Sequence, residues 1–158
     1  MKPLLLKDIV DKLDCNTDSW KIYYNKRTGK ITEIQLEYLA IAEELDEEDD
    51  IGEYADWEQE SIKEAIDIIE NWHDYIKLPD KYEIHEYSIM EKFCYSIEEA
   101  RLSNKLCNII SGRGAFRRFK DAIKRYNLEE SWYSYRDEAL CEIARDWCQD
   151  NEIPFMKE

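Results

Sequence analysis

The residues best suited to do chemistry lie in one short stretch, Gly112-Arg113-Gly114-Ala115-Phe116-Arg117-Arg118-Phe119-Lys120, with Arg125 following. Two glycines beside a helix start leave backbone N–H groups open to approach, and nearby guanidinium groups add charge-assisted hydrogen bonds to a phosphate or carboxylate. Gly112, Arg113, Gly114, Arg117, Arg118, Lys120 and Arg125 are therefore the candidate anion- or partner-binding residues. Their surroundings make them stand out. The chain carries 22 Lys and Arg against 37 Asp and Glu, a formal charge of −15. Residues 101 to 125 nevertheless hold eight cations, Arg101, Lys105, Arg113, Arg117, Arg118, Lys120, Lys124 and Arg125, against Asp121 alone, a local +7. Such a molecule repels a long polyanion or an anionic membrane everywhere except at the island, so an acidic protein partner is favoured over nucleic acid. The plainer reading is that these cations pair internally with carboxylates, since weak surface pairs demand little of a sequence.

Other chemistry finds less support. The chain has no nucleophile elbow, phosphate-binding glycine loop, dinucleotide fingerprint or His-Glu-x-x-His helix. His85-Glu86 and Asp137-Glu138 are adjacent pairs, and neighbours in sequence do not share a helix face, so an acid–base enzyme is the lesser expectation. If there is an activity, it is that of a carboxylate-dependent hydrolase or transferase; no cofactor is predicted. Cys15, Cys94, Cys107, Cys141 and Cys148 form an odd, widely spaced set, and neither they nor His73 and His85 show zinc-ligand spacing. Free thiols fit a reducing cytoplasm, with Cys141 and Cys148 two turns apart as small buried hydrophobes. The acidic run Glu43 to Glu53 could meet a basic partner or imitate nucleic acid, but it lacks the ligand spacing of an EF-hand and reads as a solvated loop. Trp132, Tyr133 and Tyr135 could stack on bases, yet aromatics at helical spacing read first as core.

The elements that must position these residues are mostly helical. With 158 residues, 44% hydrophobic, four Gly and three Pro, the chain suits a single domain, residues 1–158, with one core and short connections. Leu5, Ile9 and Leu13 predict an N-terminal helix, and the charge following three leucines does not fit a signal peptide. Ser19 to Tyr24 and Ile31 to Leu36 predict a β-hairpin around Asn25 to Gly29, with Ile34, Leu36 and Tyr38 extending its second strand or forming a third. Ile62, Ile66, Ile69 and Trp72 mark the inner stripe of an amphipathic helix. Ile89, Met90, Phe93 and Cys94 mark the next, and Ser96-Ile97-Glu98-Glu99 reads as a capping box opening a helix that runs to Ile110. Phe116, Phe119, Ile123 and Tyr126 then give one buried face, and Trp132, Tyr135, Ala139, Ile143 and Trp147 the inner stripe of the longest helix. The fold class is α+β: a helix and hairpin packed on four to five helices.

Two stretches, Gly112 to Asp121 and Trp132-Tyr133-Ser134-Tyr135-Arg136-Asp137-Glu138-Ala139-Leu140, resemble the bacterial uncharacterised protein family numbered 0158. The resemblance takes in Tyr23 to Gly29 and Leu78 to Tyr87, and departs from the family at Tyr24-Asn25, where Leu-Asp is common. It implies a bacterial cytoplasmic protein and brings no catalytic residues with it. On the residues themselves, the expected function is that of a noncatalytic interaction or regulatory protein.

Overall fold

The computed structural model describes residues 3–15, 19–46 and 48–157. Met1 and Lys2 of the opening segment and Glu47 of the acidic run lie outside these. The order is β1 (Leu4–Leu5), α1 (Leu6–Asp14), β2 (Trp20–Asn25), β3 (Lys30–Gln35), α2 (Leu36–Glu44) and α3 (Asp56–Glu70). A 3-10 turn (Trp72–Asp74) leads into β4 (Tyr75–Lys77), α4 (Lys81–Ile84), α5 (Glu86–Ser96), α6 (Ala100–Ile109), α7 (Ala115–Arg125), α8 (Glu129–Asp150) and β5 (Phe155–Met156). The fold is helix-rich α+β, as the composition predicts.

The hairpin forms where Gly29, at φ 72°, takes the left-handed conformation that its missing Cβ permits. The Asn25 side chain accepts from the Arg27 N–H at 2.9 Å and closes the turn from inside. β4 adds to the other side of β2, giving an antiparallel sheet in the order β3-β2-β4. Alternation along these strands divides the apolar interior. Ile22, Tyr24, Ile31 and Ile76 join a large cluster with α1 and α5 to α8. Tyr23, Ile34 and Tyr75 face a smaller one built with Tyr38, Leu39, Ala42, Ile62, Ala65 and Ile68 of α2 and α3. In place of the one core expected, the sheet has a core on each face. β1 and β5 pair in parallel, Leu4 with Phe155 and Leu5 with Met156, so the two ends of the described chain lie side by side.

The hairpin, α1 and the five longer helices after it stand where the periodicity puts them, while several details differ. Ile34, Leu36 and Tyr38 do not extend a strand: the chain turns helical at Leu36, and Tyr38, Leu39 and Ala42 bury at helical spacing. Trp72 lies beyond the end of α3 and is 64% exposed. The inner residues of α3 are Ile62, Ala65 and Ile68, with Ile66 and Ile69 half-buried. Ser96 does not open a helix. Its hydroxyl donates back to the Phe93 carbonyl at 2.6 Å at the end of α5, and α6 starts only at Ala100. The capping box belongs to α4, where the Glu83 N–H donates to the Asp80 carboxylate at 2.9 Å and the Asp80 N–H to Glu83 at 3.3 Å. On α8 the fully enclosed side chains are Leu140, Ala144 and Cys148, flanked by buried Trp132 and Trp147. Tyr135, Ala139, Ile143 and Cys141 are only half-buried.

Candidate functional site

α7 is the most strongly two-sided helix of the fold. Ala115, Phe119, Ala122 and Ile123 are buried, and every cation on it is exposed. Phe119 packs edge-on against Trp132, with ring centroids 4.8 Å apart, and against Phe93 at 6.0 Å, which pins the helix to α8 and α5. Phe116 is not on the buried face. It is 46% exposed, because small Ala115 and Ala122, invisible to a search for bulky apolar residues, complete the inner arc instead. Asn127 ends α7 in the left-handed conformation, φ 57°, with the Leu128 N–H donating to the Ile123 carbonyl at 2.7 Å.

The α6–α7 connection holds the two candidate glycines, both at positive φ, Gly112 at 80° and Gly114 at 75°. The two conformations let the backbone pass from α6 to α7 within the five residues 110–114. Arg118 reaches back over this connection. Its Nε donates to the Ile109 carbonyl at 2.8 Å, and its terminal nitrogens donate to the carbonyls of Ser111 and Arg113. The first carbonyl is the last of α6 and the other two belong to the connection, and one guanidinium fork serves all three. A Cβ at Gly114 would stand 3.1 Å from that guanidinium, a second reason for glycine there.

The seven candidates therefore separate. Gly112, Arg113 and Gly114 lie in the connection, Arg118 is turned onto it, and Arg117 and Lys120 point away on α7. Arg125 stands at the far end of the helix, about 12 Å along the axis from Arg117 at the usual rise. Arg117, Lys120 and Lys124 share a stripe with Asp121, and with Phe116 they line a shallow groove of about 350 Å³. Lys105 of α6 sits 5.7 Å from the Tyr126 ring centroid.

Elsewhere, some cations are matched with acids. Lys12 meets Glu33 at 2.5 Å; Arg27 meets Asp67 at 2.6 Å and Asp74 at 3.0 Å; Lys77 meets Asp80 at 3.0 Å and Glu83 at 3.3 Å. Arg136 spans Asp14 of α1's last turn and Glu86 of α5, each at 2.5 Å, and ties three helices together. Among the described residues none of the eight cations between positions 101 and 125 forms such a pair. Lys7, Lys21, Lys26, Lys30, Lys63, Lys92, Arg145 and Lys157 form none either among the described residues, so what marks the island is its density, eight cations against Asp121 alone.

A second polar constellation joins the hairpin turn to α3. Tyr75 and the Asn71 amide donate to Asp67, the latter at 2.7 Å, and the Asn25 amide donates to the Tyr75 oxygen at 3.2 Å. The Tyr75 hydroxyl, with Asn71 and Arg27, holds the Asp67 carboxyl below the usual carboxylate range. Burial, reinforced by that carboxylate, pushes the Tyr75 phenol up to about 12. The cluster's members bond chiefly to one another, which suits a brace. The exposed ring of Tyr87, placed against Phe116, is a surface feature that residue spacing did not reveal; both aromatics lie in the stretches that carry the family resemblance. Among the described residues no group of three or more His, Cys, Asp or Glu is gathered to hold a metal, and no helix is long and apolar enough to cross a membrane.

Comparison with known proteins places this geometry in a family. The model of the Uncharacterised protein family UPF0158 matches residues 1–158. A UPF0158 protein of Pseudomonas aeruginosa is 36% identical over 66 residues, which cover 41% of this chain and 43% of that relative. The match thus spans less than half the length of the curated relative. No solved structure matches.

Proposed function

This chain belongs to the uncharacterised protein family UPF0158, and we propose that it is a noncatalytic cytoplasmic interaction or regulatory protein whose α7 face docks an acidic protein partner. The observation that carries this reading is the concentration of unpaired like charge on one exposed stretch. In a chain of net charge −15, residues 101 to 125 crowd eight cations against Asp121 alone, and none of the eight has a carboxylate partner among the described residues. Unpaired charge on an exposed helix face steers association with a surface of opposite sign and sets its orientation. The working residues are Arg113, Arg117, Lys120 and Lys124, with Arg125 at the margin; Arg118 and the two glycines shape the connection that presents them.

The test is capture from host cytosol at physiological salt, with and without nuclease, using the full chain and an Arg117→Glu, Lys124→Glu variant. Arg118 is left intact because it holds the end of α6. Circular dichroism and thermal unfolding establish that both proteins are folded. The expected result is a nuclease-resistant protein retained by the parent and lost from the variant. A partner bound equally by both removes α7 from the interface, and one released by nuclease transfers the face to nucleic acid.

A further inference from the structure

Phe116 stands in the middle of the cationic face with 46% of its surface exposed, and Tyr87 of α5, 41% exposed, meets it edge-on at 6.3 Å and 79°. The Tyr87 hydroxyl donates to the Ile110 carbonyl at 2.9 Å, so its ring is fixed over the end of α6 before anything binds. A ring held in place before binding, with a phenyl set edge-on against it, loses little conformational freedom when covered, which is the property of an anchoring site at an interface. The groove beside them is bordered by Arg117, Lys120 and Lys124, and the first and last of these are separated by about 10 Å along the helix at the usual rise.

We infer, building on the acidic-partner reading above, that the partner presents a helical segment in which one bulky apolar side chain is flanked by carboxylates. The apolar side chain seats against Phe116 and Tyr87. The carboxylates, recurring at one-turn intervals, meet Arg117, Lys120 and Lys124. A purely acidic strand leaves the aromatic pair uncovered, and a nucleic-acid strand would bring its phosphates onto Asp121, inside the stripe, on a molecule already at −15. An amphipathic acidic helix satisfies both halves of the surface, with its own axis along α7.

The test is selection of random twelve-residue peptides displayed on phage against the full chain, followed by fluorescence anisotropy of the selected peptides in labelled form. The expected winners combine Asp or Glu with a bulky apolar residue. Replacing that residue by Ala weakens binding to the parent at least tenfold, and Phe116→Ala in the protein gives the same loss. Arg117→Glu with Lys124→Glu abolishes binding of either peptide. Acidic winners without an apolar residue, or indifference to Phe116→Ala, overturn the anchor while leaving an acid-binding face. Winners without acidic residues, or no winners, overturn both. Displacement of the winners by a single-stranded oligonucleotide of equal charge, at equal concentration, overturns the peptide in favour of nucleic acid. Because Phe116 is largely exposed, its truncation leaves the fold intact, which far-ultraviolet circular dichroism checks.

Discussion

Tyr24 carries a hydroxyl into a place where nothing receives it. Its ring is fully buried and meets Trp147 edge-on at 6.2 Å and 90°, yet the phenolic oxygen has no hydrogen-bond partner among the described residues. Burial also pushes the phenol upward, so the group is neutral and uncompensated throughout the physiological range. An unsatisfied buried polar group costs about 1–3 kcal/mol, while the ring itself contributes its apolar area either way. Tyr24→Phe is therefore expected to raise stability by about 1 kcal/mol, read as a higher midpoint in urea with unchanged slope. A lower midpoint would mean that the hydroxyl has found a partner in solution. Arg27 and Arg136 present the reverse case: each is matched to two carboxylates, and each joins elements far apart in the chain.

At the scale of elements, α6 and α7 depend on one another through Arg118. Its three donations reach the Ile109 carbonyl, which a helix end otherwise leaves to water, and the carbonyls of Ser111 and Arg113 in the connection. Arg118→Ala is expected to lower stability by about 1 kcal/mol, the exposed position keeping the loss modest, whereas Arg117→Ala changes it by less than about 0.5 kcal/mol. Equal effects in urea denaturation would remove the distinction between the two. That distinction was not legible in the sequence: positions 117 and 118 carry the same residue, and only the helical rotation of about 100° between them turns one outward and the other onto the connection. The helices themselves were legible because Ile89, Met90, Phe93 and Phe119 recur at helical spacing and are buried accordingly. Ala115 and Ala122 gave no signal, since a methyl group marks neither face, and their silence placed Phe116 inside. β4 is three residues long, too short for alternation to register, and the β1–β5 pair joins segments that nothing in local sequence connects. The basic island was visible as composition; its freedom from acidic partners is a property of three-dimensional placement alone.

Across the whole molecule, the sheet separates a small layer from a large one, and the face proposed for recognition belongs to the large one. Among the described residues seven buried side chains, Ile34 of the sheet and six from α2 and α3, form the small layer's core, whereas α1, α5 to α8 and the other sheet face share a far more extensive cluster. Layers of unequal burial come apart at unequal free energies, so the fold should behave as two cooperative units. In native-state hydrogen exchange, amides of α2 and α3 are expected to exchange through openings that leave α8 protected. Ile62→Ala should speed exchange in α2 and α3 and leave α8 unchanged; equal acceleration in both would show a single cooperative unit. The consequence reaches the function proposed for α7: the chain can lose one whole layer transiently and still hold its docking surface in register, because the aromatic packing of Phe119, Phe93 and Trp132 lies on the side of the sheet that stays closed.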